Sequence, residues 1–292
     1  MMNLTSPSQV KAWCIGHGFH PNKTLGQNFL IDRNALEAIV NAGLDGVADP
    51  TGCPVLEIGP GLGVMTEEML RRGCQVTAVE KDPVLAERLA ASLDNPPNLT
   101  VIAGDALDVI ASPSTSPSTS TSTSTSPSTS PSPLPPLPTF SRMISNLPYQ
   151  AGTRILLELV KRRAIARMTV LVQTEVADRL AAGEGSKTRG LAGVWTQLDY
   201  DVKIVRKVAA SCFWPRPEIG STVVTITRHD RNVGLSAEER DLFYRLTKQA
   251  FEHRRKQLGS IFKDLIQSTA RAEELSNEDW ITLVKGLIHE DA

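Results

Sequence analysis

Four consecutive residues, Asn-Leu-Pro-Tyr at 146–149, combine hydrogen-bond acceptors with an aromatic ring. The Asn146 side-chain oxygen and the Leu147 backbone carbonyl could accept both hydrogens of the exocyclic amine of an adenine base. That amine is a poor nucleophile because its lone pair is delocalised, and two acceptors would turn the lone pair toward an electrophile. Pro148 stiffens the corner, and Tyr149 can stack on the base, a contact worth about 1–3 kcal/mol. The alternative interpretation is an ordinary corner between a strand and a turn.

A second candidate site is the glycine-rich corner at residues 57–63, Glu-Ile-Gly-Pro-Gly-Leu-Gly. An apolar run at 55–58 precedes it and a helical pattern follows, which predicts a strand, a tight turn and a helix. In an NAD-binding fingerprint the last glycine would fall at position 64, which is Val64 here. The spacing instead matches the E/D-x-G-x-G-x-G turn of Rossmann-like enzymes that bind S-adenosylmethionine. A glycine loop without a ligand is the alternative.

Two acidic residues follow the next two predicted strands. Glu80 ends the predicted strand 75–80, about twenty residues after Gly59, where an acid commonly binds a ribose diol. Asp105 follows the run 99–103. Because ligands bind at the carboxyl ends of such strands, we expect both acids to lie beside the glycine corner. For Glu80 alone, a solvated surface charge is the alternative.

The elements that would position these residues alternate between strand and helix patterns up to Arg231. This alternation predicts an α/β fold, a doubly wound and mainly parallel sheet with a hairpin-like end at 202–208 and 222–227. Beyond Arg231 the pattern is helical only. We therefore predict a first domain at 1–232 and a small all-α domain at 233–292, with helices at 237–251, 255–266 and 278–289.

Residues 112–138 interrupt the first domain with a sequence that is nearly all Ser, Thr and Pro. Such a segment cannot bury enough apolar surface to offset the entropy lost on ordering. We predict a disordered surface insert and not a domain boundary, because the strand and helix alternation resumes directly after it.

Composition limits the remaining functional classes. The formal net charge of -1 does not indicate a nucleic-acid-binding protein, so any such surface must be a local patch. The four cysteines lack C-x-x-C spacing, which suggests neither a zinc site nor disulfides, and we expect no metal. No apolar run approaches the roughly 20 residues of a membrane span, and no signal sequence is evident. We expect a soluble, cytoplasmic protein.

With these motifs in view, the chain resembles the KsgA/RsmA family of ribosomal RNA adenine N6,N6-dimethyltransferases, Rossmann-like class I methyltransferases with a helical C-terminal domain. The matching segments cover nearly the whole chain in the order of the family. They are residues 26–30, 57–63, 80, 104–106, 146–149, 173–180, 213–217 with Ser221, and 251–256.

The resemblance implies an enzyme that uses S-adenosylmethionine to dimethylate two adjacent adenosines in the 3'-terminal hairpin loop of 16S ribosomal RNA, with a role in small-subunit biogenesis. It also implies that Phe213 packs on the target base opposite Tyr149; a core phenylalanine is the alternative. Carried over by position, the cofactor contacts are Asn28, Leu30, Gly59, Glu80, Asp105 and Asn146.

A basic cluster in the predicted C-terminal domain, Arg254, Arg255 and Lys256, would contact RNA within the small ribosomal subunit if the resemblance holds; a solvated helix face is the alternative. Residues 189–194 depart from the usual family pattern, which leaves the role of their side chains open. Other hypotheses are an Erm enzyme acting on large-subunit RNA, a DNA adenine methyltransferase, and a monitor of ribosome assembly that needs no catalysis. We expect a monomer.

Overall fold

The computed structural model describes residues 3–111, 140–263 and 265–290. The predicted insert at 112–138 lies outside the described residues, so its disorder stays a prediction. Within the described ranges the strands are β1 (Phe29–Leu30), β2 (Pro54–Ile58), β3 (Gln75–Glu80), β4 (Leu99–Ala103), β5 (Arg142–Asn146), β6 (Arg167–Gln173), β7 (Tyr200–Val208), β8 (Phe213–Trp214) and β9 (Ser221–Arg228).

The α-helices of the described ranges alternate with single strands up to α7, and after β9 they follow one another. They are α1 (Pro7–Gly16), α2 (Arg33–Leu44), α3 (Val64–Arg71), α4 (Pro83–Ser92), α5 (Ala106–Ala111), α6 (Gly152–Arg162), α7 (Thr174–Ala181), α8 (Leu191–Asp199), α9 (Ala237–Glu252), α10 (Leu258–Phe262) and α11 (Asn277–Glu290).

One seven-stranded sheet has the order β4-β3-β2-β5-β6-β9-β7, and β1 pairs with β8 in a separate two-stranded sheet. The strands from β4 to β6 are parallel, while β9 is antiparallel to both of its neighbours. The strand order reverses between β2 and β5, where the register pairs end at Leu56 and Met143. Such a reversal opens a crevice at the carboxyl ends of the strands, which is where ligands bind in this kind of sheet.

Apolar clusters cover both faces of the sheet. Neighbouring residues of β2 belong to different clusters, since Val55 packs with helix α2 and Leu56 packs with helix α6. This follows from the alternation of side chains along a strand. Accordingly, all residues of β6 between its two ends are buried, including Thr169. The predicted doubly wound α/β fold is confirmed.

The starts of α2, α4 and α9 carry side-chain caps. Asp32 accepts a hydrogen bond from the Ala35 N–H at the start of α2. Asp82 caps α4 in the same way. Ser236 and Glu239 form a capping box that starts α9. These contacts fix where each helix begins relative to the strand or loop before it.

The C-terminal helices share their core with the first predicted domain. Helices α9, α10 and α11 pack on α8, and Trp195 of α8 lies in one cluster with Phe243 and Trp280. The fully buried Asp199, at the end of α8, accepts a hydrogen bond of 2.6 Å from Arg240 of α9. The predicted boundary after residue 232 therefore crosses a continuous apolar core.

The predicted helix at 255–266 is wrong, because α10 covers Leu258–Phe262 only. The chain after α10 turns back along it, so that the Leu258 N–H donates to the Ala270 carbonyl and the Gly259 N–H donates to the Ser268 carbonyl. These contacts occupy the N–H groups at the start of α10, which begins at Leu258 and not at residue 255. Sequence spacing could not show them, since the partners belong to a segment without periodicity.

Helix α8 was not predicted from the sequence, and it contains a glycine at position 193. Gly193 has a packing role: a Cβ added there would lie 2.4 Å from the Arg179 carbonyl oxygen of helix α7. The glycine thus allows two helices to approach closely. Among the described helices, none has both the length and the apolar content to cross a membrane.

Candidate active site

A cleft of about 340 Å³ lies at the carboxyl ends of β2, β3, β4 and β5, where the strand order reverses. Its volume suits a small organic ligand. All of the predicted cofactor contacts line the cleft. The predicted catalytic residues Leu147, Pro148 and Tyr149 also line it, whereas Phe213 does not. These lining residues are Asn28, Leu30, Gly59, Glu80, Asp105, Asn146, Leu147, Pro148 and Tyr149.

The glycine corner after β2 requires glycine at the positions that face the cleft. Gly59 and Gly61 both have a left-handed backbone, with φ of 68° and 59°. A Cβ added at Gly61 would lie 3.1 Å from the ring of Phe29, which covers this side of the cleft. The corner therefore brings bare backbone to the cleft wall, as its spacing predicts.

Glu80 ends β3 and is held by backbone groups. Its Oε2 accepts from the Gly61 N–H at 3.0 Å, and its Oε1 accepts from the Asp82 N–H at 2.8 Å. Burial raises the pKa of Glu80 above its usual value, and the two N–H groups oppose part of that rise. Each oxygen keeps a lone pair, so a ribose hydroxyl could donate to the carboxylate without displacing either contact.

Asp105 follows β4 and pairs with Lys81 across the neighbouring strand end. Lys81 Nζ lies 2.8 Å from Asp105 Oδ2, and the Leu107 N–H donates to Oδ1 at 2.9 Å. The Lys81 contact lowers the pKa of Asp105 below its usual value, so the carboxylate is an acceptor at neutral pH. A purine amine in the cleft could donate to one of its remaining lone pairs.

Asn146 ends β5 and presents an unused acceptor. Its Nδ2 donates to the Asn28 backbone carbonyl at 3.1 Å, which orients the amide group. Its Oδ1 is buried and has no hydrogen-bond partner. Buried polar atoms are rarely left unpaired, because the lost hydrogen bond to water costs about 1–3 kcal/mol. An oxygen in this position can accept a hydrogen from an amine that enters the cleft.

The corner after Asn146 is held in place on both sides. The Leu147 N–H donates to the Leu171 carbonyl in β6, and the Pro148 carbonyl accepts from the Gly152 N–H at the start of α6. Tyr149 is half-buried, and its hydroxyl lies 2.7 Å from the Ser221 hydroxyl. Burial raises the pKa of Tyr149, so its phenol stays neutral at physiological pH. The acceptor corner is thus rigid before any ligand arrives.

The N-terminal segment crosses the cleft and is attached to both of its sides. Gln27 Nε2 donates to Asp82 Oδ2 at 2.8 Å, beside the Glu80 site. The neighbouring Asn28 carbonyl receives the Asn146 contact already described. Leu30 is buried and pairs with Phe213 in the β1–β8 sheet. The segment therefore links the proposed cofactor side of the cleft to the acceptor corner.

Phe213 lies outside the cleft. Only 2% of its side chain is exposed, and it packs in the apolar cluster that contains Leu30 and Val223. The position agrees with the alternative of a core phenylalanine, and stacking on a target base would require the ring to leave this core. The neighbouring Trp214 is partly exposed and stacks on Phe29, with ring centroids 6.5 Å apart.

The basic cluster at 254–256 divides into one structural and two free cations. Arg254 donates to the Lys187 carbonyl at 2.6 Å and lies 3.5 Å from Glu273. Arg255 and Lys256 are exposed, and no carboxylate among the described residues pairs with them. The cluster lies on the turn between α9 and α10, so two of its three cations are available to a polyanion.

Sequence reasoning missed two residues of the site. Lys81 holds Asp105, and the Ser145 hydroxyl accepts from the Ile58 N–H at 2.9 Å across the gap between β5 and β2. Lys81 follows Glu80 and Ser145 precedes Asn146 in the sequence, and these positions next to predicted site residues were the signal that could have identified them. Elsewhere in the described chain, no group of three or more His, Cys, Asp or Glu is placed to hold a metal, and all four cysteines are free.

Comparison with known proteins agrees with this geometry. A Ribosomal RNA small subunit methyltransferase A from Deinococcus radiodurans is 42% identical over 227 residues, 76% of this chain and 67% of that protein. The protein of the same name from Moorella thermoacetica is 32% identical over 99% of this chain and all of its own length.

Solved structures share the fold. A dimethyladenosine transferase from Plasmodium falciparum superposes with a TM-score of 0.69 over 90% of this chain and 98% of its own, at 19% identity. The 23S rRNA methyltransferase ErmE gives 0.61 over 89% of this chain and all of its own, at 22% identity. The family described as ribosomal RNA adenine dimethylase matches residues 18–285. This chain therefore belongs to the ribosomal RNA adenine dimethylase family.

Proposed function

We propose that this protein transfers methyl groups from S-adenosylmethionine to the N6 amine of adenosines in the RNA of the small ribosomal subunit. The finer proposal is that two adjacent adenosines in the 3'-terminal hairpin loop of 16S RNA each receive two methyl groups, during subunit biogenesis. The names of the curated relatives support the small subunit over the large one. We further propose that the protein acts as a monomer in the cytoplasm.

The observation that carries the proposal is the unpaired, buried Oδ1 of Asn146. A merely structural asparagine would use this oxygen within the fold, as its Nδ2 is used by the Asn28 carbonyl. Instead the oxygen remains free in the residue that precedes the rigid corner at Leu147 and Pro148. An amine donor is the partner that completes its hydrogen bonding.

The residues of the cleft fit S-adenosylmethionine. Glu80 offers carboxylate lone pairs for the ribose, and Asp105 is an ionised acceptor for the adenine amine. Gly59 and Gly61 leave room for the ligand beside the backbone. These donor and acceptor types need no phosphate, in agreement with the glycine spacing. When bound, the cofactor supplies an electrophilic methyl group on a sulfonium.

The chain itself prepares the nucleophile. Asn146 Oδ1 and the Leu147 carbonyl accept the two amine hydrogens, which draws the nitrogen lone pair out of conjugation. Positive charge develops on that nitrogen as the new bond forms, and the two acceptors stabilise it. The amine becomes acidic only after methylation, so the proton can leave without a strong base. Tyr149, held by Ser221, is available to stack on the base and keep it in place.

The test is methyl transfer to purified ribosomal particles. The protein is incubated with methyl-labelled S-adenosylmethionine and unmethylated small subunits, large subunits or duplex DNA, and modified bases are then mapped. Label on N6 of small-subunit adenines supports the proposal, and label in large subunits or DNA alone contradicts it. The Asn146→Ala variant is the control for transfer that does not depend on the acceptor corner. A protein that binds small subunits without transferring label would instead be an assembly factor.

A further inference from the structure

The outer strand of the sheet, β7, has three exposed cations. Lys203, Arg206 and Lys207 are all exposed. None of them forms an ion pair with a carboxylate of the described chain, and the one side-chain contact of Arg206 is a 3.4 Å bond to the Asn34 carbonyl. The single acid of the strand, Asp201, lies at its other end and is paired with Arg231. The strand therefore carries uncompensated positive charge.

This charge lies at the same edge of the sheet as the cleft. Strand β7 is antiparallel to β9, which is antiparallel to β6, so β7 ends at the edge where β5 ends. The register places Arg206 opposite Val223, Val223 opposite Leu171, and Leu171 opposite Asn146. Three strand spacings separate Arg206 from Asn146, a lateral distance of about 14 Å.

Strand β9 links the cleft to β7. Tyr149 lines the cleft, and its hydroxyl is bonded to Ser221, the first residue of β9. Ser221 is the register partner of Val208, and Lys207 is the next residue back along β7. Lys207 is thus the first exposed cation of β7 beyond the buried Ser221 and Val208.

The strand is poorly suited to bind another protein strand. A β-bulge interrupts its register between Ile204 and Arg206, so its outer hydrogen-bonding groups do not form a regular ladder. Bulges and charged side chains are the features that prevent pairing at an exposed sheet edge. Guanidinium and ammonium groups are, in contrast, the usual contacts to phosphate in nucleic-acid recognition.

We propose that Arg206 and Lys207 bind backbone phosphates of the substrate RNA, within a few nucleotides of the adenosine whose base enters the cleft. The proposal rests on the proposed function, because it assumes an RNA substrate. It adds a second RNA contact, on the catalytic side of the molecule, to the one proposed for Arg255 and Lys256. This contact positions the strand next to the reacting base and carries no information on base identity.

The test compares two double variants with equal loss of charge. Arg206→Gln/Lys207→Gln removes the proposed contact, and Lys11→Gln/Arg88→Gln removes two exposed cations on α1 and α4. Helix α4 packs on β3 and β4, at the opposite end of the sheet from β7. Binding of each protein to unmethylated small subunits is measured from about 50 to 200 mM salt. Melting temperature and cofactor affinity are measured in parallel.

Two phosphate contacts to single-stranded RNA contribute about 1.4 to the slope of log affinity against log salt concentration. The affinity advantage of the wild type over the β7 variant should therefore shrink about sevenfold across this fourfold range of salt. The control variant should keep the wild-type slope, and Arg206→Lys/Lys207→Arg should restore it. Cofactor affinity and melting temperature should match the wild type in all variants.

Wild-type slope and affinity in the β7 variant, or equal losses in the β7 and control variants, would overturn the proposal. A lowered melting temperature would not hide the answer, because the variant that exchanges Arg for Lys keeps the charge at the same positions. Binding is measured without methyl transfer, so an absence of methylation in the wild type would count against the proposed function and leave this comparison intact.

Discussion

Replacing Asn146 with alanine tests the catalytic reasoning most directly. The substitution removes the free Oδ1 acceptor and also the Nδ2 donor that holds the Asn28 carbonyl. Loss of one preorganised hydrogen-bonding group in a comparable role costs on the order of 3–4 kcal/mol of transition-state stabilisation. Loss of the contact to Asn28 costs about 1 kcal/mol, equivalent to about fivefold in cofactor affinity.

The two contributions separate in the assay. At saturating S-adenosylmethionine and small subunits, single-turnover methylation by Asn146→Ala should be slower by roughly a hundred- to a thousandfold. Cofactor affinity, measured by calorimetry, should weaken by no more than about fivefold. Subunit affinity should not change, because Arg255 and Lys256 are intact. Both transfers to each adenine should slow, since the same acceptor positions the amine and then the monomethylamine.

A matched asparagine provides the control. Asn98 Nδ2 donates to the Cys74 carbonyl at 2.8 Å, a contact of the same chemical type at the opposite edge of the sheet from the cleft. Asn98→Ala should lower stability by about 1 kcal/mol and leave the single-turnover rate unchanged. If Asn146→Ala methylates at the wild-type rate, Asn146 is a structural residue and the acceptor mechanism is refuted.

Three further substitutions test the cleft and the strands that support it. Glu80→Gln should weaken cofactor binding by about 1–3 kcal/mol in calorimetry; unchanged affinity would remove Glu80 from the ribose site. Ser145→Ala leaves the Ile58 N–H without its partner, so the free energy of unfolding in urea should fall by about 1–3 kcal/mol; an unchanged midpoint would show that water replaces the hydroxyl. Glu57 is fully buried, and burial raises its pKa to about 8 from a usual 4.5. Its contribution to stability is therefore present below pH 4.5 and lost as pH rises toward about 8. Relative to Glu57→Gln, the wild type should lose stability across that range, and parallel pH profiles would contradict the assignment.

The parts of the fold that the sequence predicted are those with strong local signals. Strand β2 has an apolar run that ends in glycines, and α2 has a cap at Asp32, so short segments contain the information. Helix α8 and the limits of α10 depend on contacts with distant segments. Gly193 is tolerated in a helix because α7 approaches it, and α10 begins where the returning chain supplies acceptors for the Leu258 and Gly259 N–H groups.

The site residues likewise divide into those that local sequence signals predict and those that depend on contacts with distant segments. Asn146, Glu80 and Asp105 end strands or follow them, so their meeting at one edge follows from a parallel sheet. The free state of Asn146 Oδ1 and the ion pair of Lys81 with Asp105 are properties of side-chain geometry, which no spacing encodes. For Phe213 the sequence motif matches a family, yet the position of the ring depends on how β8 packs against β1.

The core that α8 shares with α9, α10 and α11 has a consequence for substrate choice. Trp195, Phe243 and the buried pair of Asp199 with Arg240 join the helices that carry the turn at 253–256 to the α/β sheet that carries Asn146. This shared core holds Arg255 and Lys256 at a fixed distance from the acceptor corner. An enzyme built in this way need not read the sequence around its target. If Arg255 and Lys256 dock on the subunit as proposed, the modified adenine is the one at the correct distance from that contact, so moving the adenine by one nucleotide in an otherwise intact subunit should lower methylation more than changing its neighbours.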